Sequence, residues 1–250
     1  MADIVTLHMT APEGKSGFCL TPTATAIMST LNICHTLGKM GSVTGGPGVG
    51  KSSAIAEFAR QQPHAILCRM TKAAGRLQPG LARIVTSLGG YAAAQMGSAD
   101  LYEEILRRLP HYTTTLLILD EAQHMDDDLL EAVRDLFDED RGGVVLVGSG
   151  ELSDRWNAKS AAKRRKWAQL TSRLTVNYDI PAALPEDIAA LCDHHAIASK
   201  RSRALLSRAG ASDGGLRNIA VRIAIARNLV GAGAIELAHL EEAERILGTR

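Results

Sequence analysis

The stretch Gly45-Gly46-Pro47-Gly48-Val49-Gly50-Lys51-Ser52 matches G-x-x-x-x-G-K-[ST] at every position. Glycines at this density let a loop wrap tightly, so that backbone N–H groups converge on phosphate oxygens. A helix leaving the loop adds unpaired first-turn N–H groups and a positive dipole end. Lys51 would then reach the β- and γ-phosphates, and the Ser52 hydroxyl would ligate Mg2+. Ser53 closes the expected phosphate-binding set. A second stretch, Leu116-Leu117-Ile118-Leu119-Asp120-Glu121, sets two acids after four aliphatics. A buried parallel strand delivers its C-terminal residues to the crevice where ligands bind. There Asp120 can hold Mg2+, usually through water, and Glu121 can orient and polarise an attacking water. A strand that simply ends in acids competes with this reading until the glycine loop, about seventy residues upstream, is taken into account.

The elements around these stretches are those such chemistry needs. Met40–Thr44 reads as a short strand entering the loop and Ser52–Arg60 as a helix leaving it. Thr21-Pro22-Thr23 opens an earlier helix through Leu37, stopped by Gly38. Ala65–Met70 is an apolar run suited to a buried strand. Leu81–Leu88 and Ala99–Leu109 read as helices, the latter with Ser98 as N-cap. Gly142–Ser149 and Thr175–Ile180 complete five strands. The β-α alternation predicts a central parallel sheet with helices on both faces. From Pro185 only helices are expected, over 186–195, 199–209, 216–230 and 240–247. The predicted organisation is an N-terminal arm (1–20), an α/β nucleotide-binding domain (21–181) and a small all-α domain (182–250). The arm contains a second Gly14-Lys15-Ser16, which lacks the upstream glycine and a preceding strand and is read as a decoy.

Composition narrows the class. The chain has 250 residues, 46% of them hydrophobic, 4% aromatic, and a net charge of +1. That suits one large or two smaller globular domains and offers little aromatic stacking surface. Cys19, Cys34, Cys68 and Cys192 show no C-x-x-C spacing and read as buried thiols in a reducing compartment. No run is long and apolar enough for a membrane span. The first residues, MADIVTLHMT, lack the apolar core of a signal peptide. No membrane partner and a cytoplasmic location, in a bacterium or a phage-infected host, are expected.

Taken together, these residues resemble an AAA+ ATPase over about residues 21–230. Walker A is Gly45–Ser52 and Walker B is Leu116–Glu121. The resemblance implies a P-loop domain with a five-stranded parallel sheet followed by an α-helical lid, with ATP and Mg2+ as ligands. It implies that Ser149, after the fourth strand, is sensor 1, and that Arg217, in Gly214-Gly215-Leu216-Arg217, is the sensor 2 contact to phosphate. Arg173, before the fifth strand, falls where the family often carries an arginine finger, supplied to a neighbouring subunit. Thr21–Thr25 falls where such ATPases pack over adenine. The Leu-Asp-Glu-Ala-Gln-His form of Walker B and the Val-Thr-Gly-Gly-Pro-Gly-Val-Gly-Lys-Ser-Ser loop look most like the transposition ATPases, MuB and TnsC/TniB proteins, with ExeA-type ATPases as relatives. This implies an oligomeric ATPase, filament or ring, that binds double-stranded DNA without sequence preference and delivers it to a transposase. The alternative is a nucleotide-switched protein-interaction ATPase of the ExeA kind, for secretion or signalling, that does not bind DNA.

Charge distribution bears on that choice. Ten acids and one base lie between Asp120 and Asp140, and seven bases and no acid between Arg155 and Arg173. An acidic run is usually a solvated face and less often a docking surface. A basic run is also usually solvated, but phosphate-backbone binding requires such a stripe. The expected DNA-contacting residues are Lys159, Lys163, Arg164, Arg165 and Lys166, with Lys200 and Arg201 in a second cluster. Neither stretch carries a base-reading motif, so contact with phosphates is expected to be sequence-tolerant.

Overall fold

A computed structural model describes residues 17–109, 115–157 and 160–248, without the side chains of residues 161, 163 and 164. The decoy Gly14-Lys15-Ser16 and Lys159 lie outside the described residues. Five parallel strands form one sheet: β1 (Met40–Gly45), β2 (Ala65–Arg69), β3 (Leu116–Asp120), β4 (Gly143–Gly148) and β5 (Leu174–Ile180). Their spatial order is β2-β3-β4-β1-β5.

Alternation along the strands divides the core. Leu117, Leu119, Val144 and Leu146 join one cluster with residues of α3 (Leu77–Ser87), α4 (Ser98–Arg108), α5 (Asp127–Asp138) and α7 (Ala161–Arg173). Leu116, Ile118, Val145 and Val147 join another with residues of α1 (Pro22–Leu37) and α2 (Lys51–Gln61). β3 is buried at every residue, as a central parallel strand covered on both faces must be. The short α6 (Gly150–Trp156) follows β4 directly. After β5 come α8 (Pro185–His194), α9 (Lys200–Gly210), α10 (Gly215–Val230) and α11 (Leu237–Ile246), which gather their own apolar cluster around Leu206, Ile219, Ile223 and Leu240. Among the described residues no helix is long and apolar enough to cross a membrane.

The architecture is the one the sequence predicts, with shifted boundaries. α3 begins at Leu77 instead of Leu81. Pro79 lies in its first turn, where a missing N–H costs nothing, and Leu129 packs directly on Gly80, its Cδ2 2.2 Å from where a Cβ would sit. The N-cap of α4 is Gly97, not Ser98: the Asp100 carboxylate accepts from the Gly97 N–H at 3.1 Å. α11 starts three residues earlier than expected, at Leu237.

One buried carboxylate ties the helical region to α1. Asp187, in α8, is fully buried. It accepts from Thr23 N at 2.8 Å, Thr23 Oγ1 at 2.6 Å and Leu184 N at 3.1 Å. Thr21 caps α1 by accepting from Ala24 N. The side chains of Thr21 and Thr23 are thus committed to the start of α1. Asp187→Ala strands two buried donors on Thr23 and a part-buried one on Leu184, and its expected cost is about 3 kcal/mol. Equilibrium urea unfolding measures it; a loss below about 1 kcal/mol contradicts the anchoring role.

Candidate functional site

The parallel register brings the ends of three strands together. Thr44 of β1 pairs with Gly148 of β4, and Gly45 pairs with Ile180 of β5. The glycine loop therefore leaves β1 beside Ser149, while Asp120 ends β3 one strand further on. The loop leads into α2, whose N-cap Gly50 supplies no side-chain cap. The first-turn N–H groups of α2 thus keep their capacity for an anion.

The helical region closes directly on this loop. Leu216 N, at the start of α10, donates to Gly48 O at 2.9 Å. Gly48 has φ +71°, and a Cβ on it would lie 1.9 Å from Gly214 O. Only glycine admits both that conformation and that approach. The exposed Arg217 is close enough to act on the Lys51 ammonium. Burial, reinforced by Arg217, pushes the Lys51 pKa down, against the opposing pull of Glu121, Asp120 and Asp179. Lys51 Nζ donates to Gly45 O at 2.8 Å and Gly46 O at 2.7 Å.

Asp120 is 2% exposed. Its Oδ2 receives Ser52 Oγ and Arg69 Nε, each at 3.3 Å. Burial and then the neighbouring Glu121 push its pKa up; Arg69 and the Glu121 N–H oppose them. Glu121 takes the left-handed conformation, φ 59° and ψ 35°, which costs a non-glycine residue on the order of 1 kcal/mol. Its carboxylate accepts from Gln123 Nε2, and Gln123 Oε1 accepts from Ser149 N at 3.2 Å. Ser149 Oγ is buried and has no hydrogen-bond partner among the described residues. Lys51, Ser52, Asp120, Glu121, Ser149 and Arg217 are thus gathered at one edge of the sheet, while Ser53 is exposed on the first turn of α2. Arg69, Gln123 and Asp179 are further members. The signals were an arginine closing an apolar strand, a glutamine two residues past the acidic pair, and an acid at the last-but-one residue of β5.

Arg173 lies elsewhere. It precedes Leu174, which pairs with Met40 at the far end of β1. Five residue steps of strand separate that level from Gly45, roughly 17 Å. Arg173 cannot reach the loop of its own chain. Its guanidinium grips Asp138 at 3.0 and 2.9 Å.

Along the chain no acid lies between Arg155 and Arg173, but in space acids do face them. Lys166 pairs with Asp127, Arg155 lies 3.8 Å from Asp127, and Arg173 pairs with Asp138. Between these, Arg134 donates to Gln169. Positions 166, 169 and 173 share one face of α7 and meet α5, so acidic and basic runs partly neutralise each other. The side chains of Lys163 and Arg164 lie outside the described residues; Arg165, Lys200 and Arg201 are exposed.

Comparison with known proteins agrees with this geometry. Residues 35–156 match the model of an AAA domain. The chain is 27% identical over 209 residues to the ATP-dependent target DNA activator B of Escherichia phage Mu, covering 83% of this chain and 66% of that protein. It is 30% identical over 174 residues to the Mu-like prophage FluMu DNA transposition protein B of Haemophilus influenzae, covering 70% of this chain and 60% of that one. The chain thus spans slightly less than two thirds of these relatives. In fold it is similar to the Thermotoga maritima RuvB Holliday junction branch migration motor, with TM-score 0.54 and 16% identity over 90% of this chain and 68% of that one. It is also similar to a chain of the Drosophila ORC structure bound to DNA, with TM-score 0.56 and 13% identity over 100% and 71%.

The buried charge of Asp120 has a testable cost. Its folded pKa lies above the ordinary carboxylate value, so the ionised form destabilises the fold at neutral pH. That penalty is full above the folded pKa and vanishes as pH falls to the unfolded value. Asp120→Asn is therefore expected to raise the melting temperature of the nucleotide-free chain by a few degrees at pH 7, with the gain shrinking on acidification. Thermal unfolding across pH checks this; a lowered midpoint at pH 7 contradicts it.

Proposed function

We propose, since the chain is an AAA+ protein akin to the Mu-type transposition ATPases, that it hydrolyses ATP as an oligomer, binds duplex DNA without sequence preference and presents that DNA to a transposase. The observation that carries the proposal is the convergence of Lys51, Ser52, Asp120, Glu121 and Ser149 on the glycine loop. Arg217 of α10 approaches it from the helical region, next to the Leu216–Gly48 hydrogen bond.

The donor set fits a magnesium nucleotide. Ser52 Oγ faces the buried Asp120 carboxylate across 3.3 Å. Among the described residues no group of three or more His, Cys, Asp or Glu is gathered for a resident metal. One carboxylate and one hydroxyl suit Mg2+ that arrives with phosphates. When bound, Mg2+ neutralises charge developing on the phosphoryl oxygens. Lys51 would exchange the carbonyls of Gly45 and Gly46 for β- and γ-phosphate oxygens. Glu121 would orient the attacking water, and the unpartnered Ser149 hydroxyl would meet the γ-phosphate. Arg217 would supply charge from the helical lid of the same subunit, residues 182–250 beside the 21–181 nucleotide domain. Arg173, too far from its own loop, would serve a neighbour's in a filament or ring. Catalysis is then positioning with electrostatic stabilisation.

For DNA, Lys163, Arg164 and Arg165 at the start of α7 are the proposed phosphate contacts, with Lys166 shared with Asp127 and Lys200 and Arg201 as a second patch. The protein-docking alternative is weakened by the same pairing, because α7 already covers part of the acidic face of α5. Joint replacement of Lys163, Arg164, Arg165 and Lys166 by Ala is expected to weaken DNA binding with a slowly hydrolysed ATP analogue. It should also flatten the slope of log K against log salt by about 2–3. Titration by mobility shift at several salt concentrations reads both. An unchanged slope removes α7 as the DNA surface, and no binding by the parent chain at low salt favours the protein-interaction reading.

A further inference from the structure

Gln123 is absorbed by none of the roles above. Its side chain has two ends with opposite chemistry, and each is used. Nε2 donates to Glu121 Oε2, and Oε1 accepts from the Ser149 N–H at 3.2 Å. The amide therefore bridges the acidic end of β3 and the end of β4, two strands that are neighbours in the sheet. The bridge is confined. A Cβ on Gly148 would lie 2.7 Å from Gln123 Oε1, so glycine at 148 is what lets the amide in. The backbone that carries Gln123 is held independently. Arg155 of α6 donates to Gln123 O at 2.9 Å and to Met125 O at 2.7 Å, and His124 N donates to Glu121 O at 3.0 Å. Glu121, by contrast, sits in a strained left-handed conformation, which persists only when neighbouring contacts enforce it.

We propose that Gln123 is a positioning residue that fixes the Glu121 carboxylate to the end of β4, so that a displacement at Ser149 is carried to Glu121 through one side-chain amide. This rests on the ATPase reading, and it specifies how that site is regulated. Ser149 Oγ is buried and unpartnered among the described residues. A ligand oxygen that engages it would pull on the same residue whose N–H holds Gln123. Contact at Ser149 and orientation at Glu121 are then linked, and a nucleotide that cannot reach Ser149 leaves Glu121 in the arrangement seen here.

Two variants separate the two ends of the bridge. Gln123→Ala removes both bonds. Gln123→Glu keeps length and an acceptor for Ser149 N, but replaces the donor facing Glu121 with a like charge. Both are expected to lose at least about tenfold in kcat with KM for ATP changed less than about twofold, the pattern of a lost transition-state interaction. Amide hydrogen exchange on the nucleotide-free chain gives a readout independent of turnover. Gln123→Ala should speed exchange of the Ser149 amide about tenfold or more, and Gln123→Glu should leave it protected. Parent-like kcat in Gln123→Glu overturns the proposal, as does an unchanged Ser149 amide in Gln123→Ala. A fall in nucleotide affinity that accounts for the whole loss would reduce Gln123 to a structural part and overturns it too. Failure of the ATPase reading is distinguishable, because the parent chain would then show no hydrolysis at all.

Discussion

The hydrogen-bonded register of β3, β4 and β1 is the constraint from which the site follows. With these three strands parallel and adjacent, Asp120, Ser149 and the glycine loop must emerge at one edge. No side chain has to travel to meet another. Apolar residues on both faces of the strands fix that register, because a slip by one residue would exchange the two core clusters. The same alignment places the start of β5 at the opposite end and sets Arg173 away from its own loop. What the sheet assembles within one chain, and what it excludes, are therefore consequences of one geometry.

Within that frame the site holds features that are unfavourable for the folded chain. A carboxylate is buried beside a second acid, a glutamate is bent into the left-handed region, and a serine hydroxyl lies unpartnered among the described residues. Each lowers the stability of the chain. Together they describe a pocket organised for charges and acceptors that a phosphate ligand brings. The helical region meets the glycine loop through the backbone hydrogen bond from Leu216 to Gly48. Its anchoring to the sheet domain lies elsewhere, at Asp187 and Thr23. The contact at the loop and the anchoring contact are therefore separate.

Much of this was legible in the sequence, for a definite reason. The glycine loop and the acidic pair are local patterns, and their chemistry depends on neighbours in the chain. Strand burial was legible because β3 and β4 are runs of aliphatics without alternation. The start of α3 was not, because Pro79-Gly80 reads as a turn until Leu129 is known to pack on Gly80. The pairing of α5 with α7 was hidden for the same reason. Asp127 and Lys166 are 39 residues apart, and Asp138 and Arg173 are 35 apart. An acidic run and a basic run look like two independent surfaces until the fold lays one helix along the other. Gln123 was visible within Leu-Asp-Glu-Ala-Gln-His, yet only the adjacency of β3 and β4 shows that it spans two strands.

The proposed function makes each loop half of a composite site, completed by Arg173 from the next subunit. Mixing subunits tests that claim most directly. Lys51→Ala and Arg173→Ala chains are each expected to be nearly inactive alone. In equal mixtures with DNA, a subunit with intact Lys51 meets a neighbour with intact Arg173 at about a quarter of the sites, and ATP hydrolysis should recover to roughly that fraction of the parent rate. A mixture no more active than its two components, or full activity from Arg173→Ala alone, would contradict a site shared between subunits through Arg173.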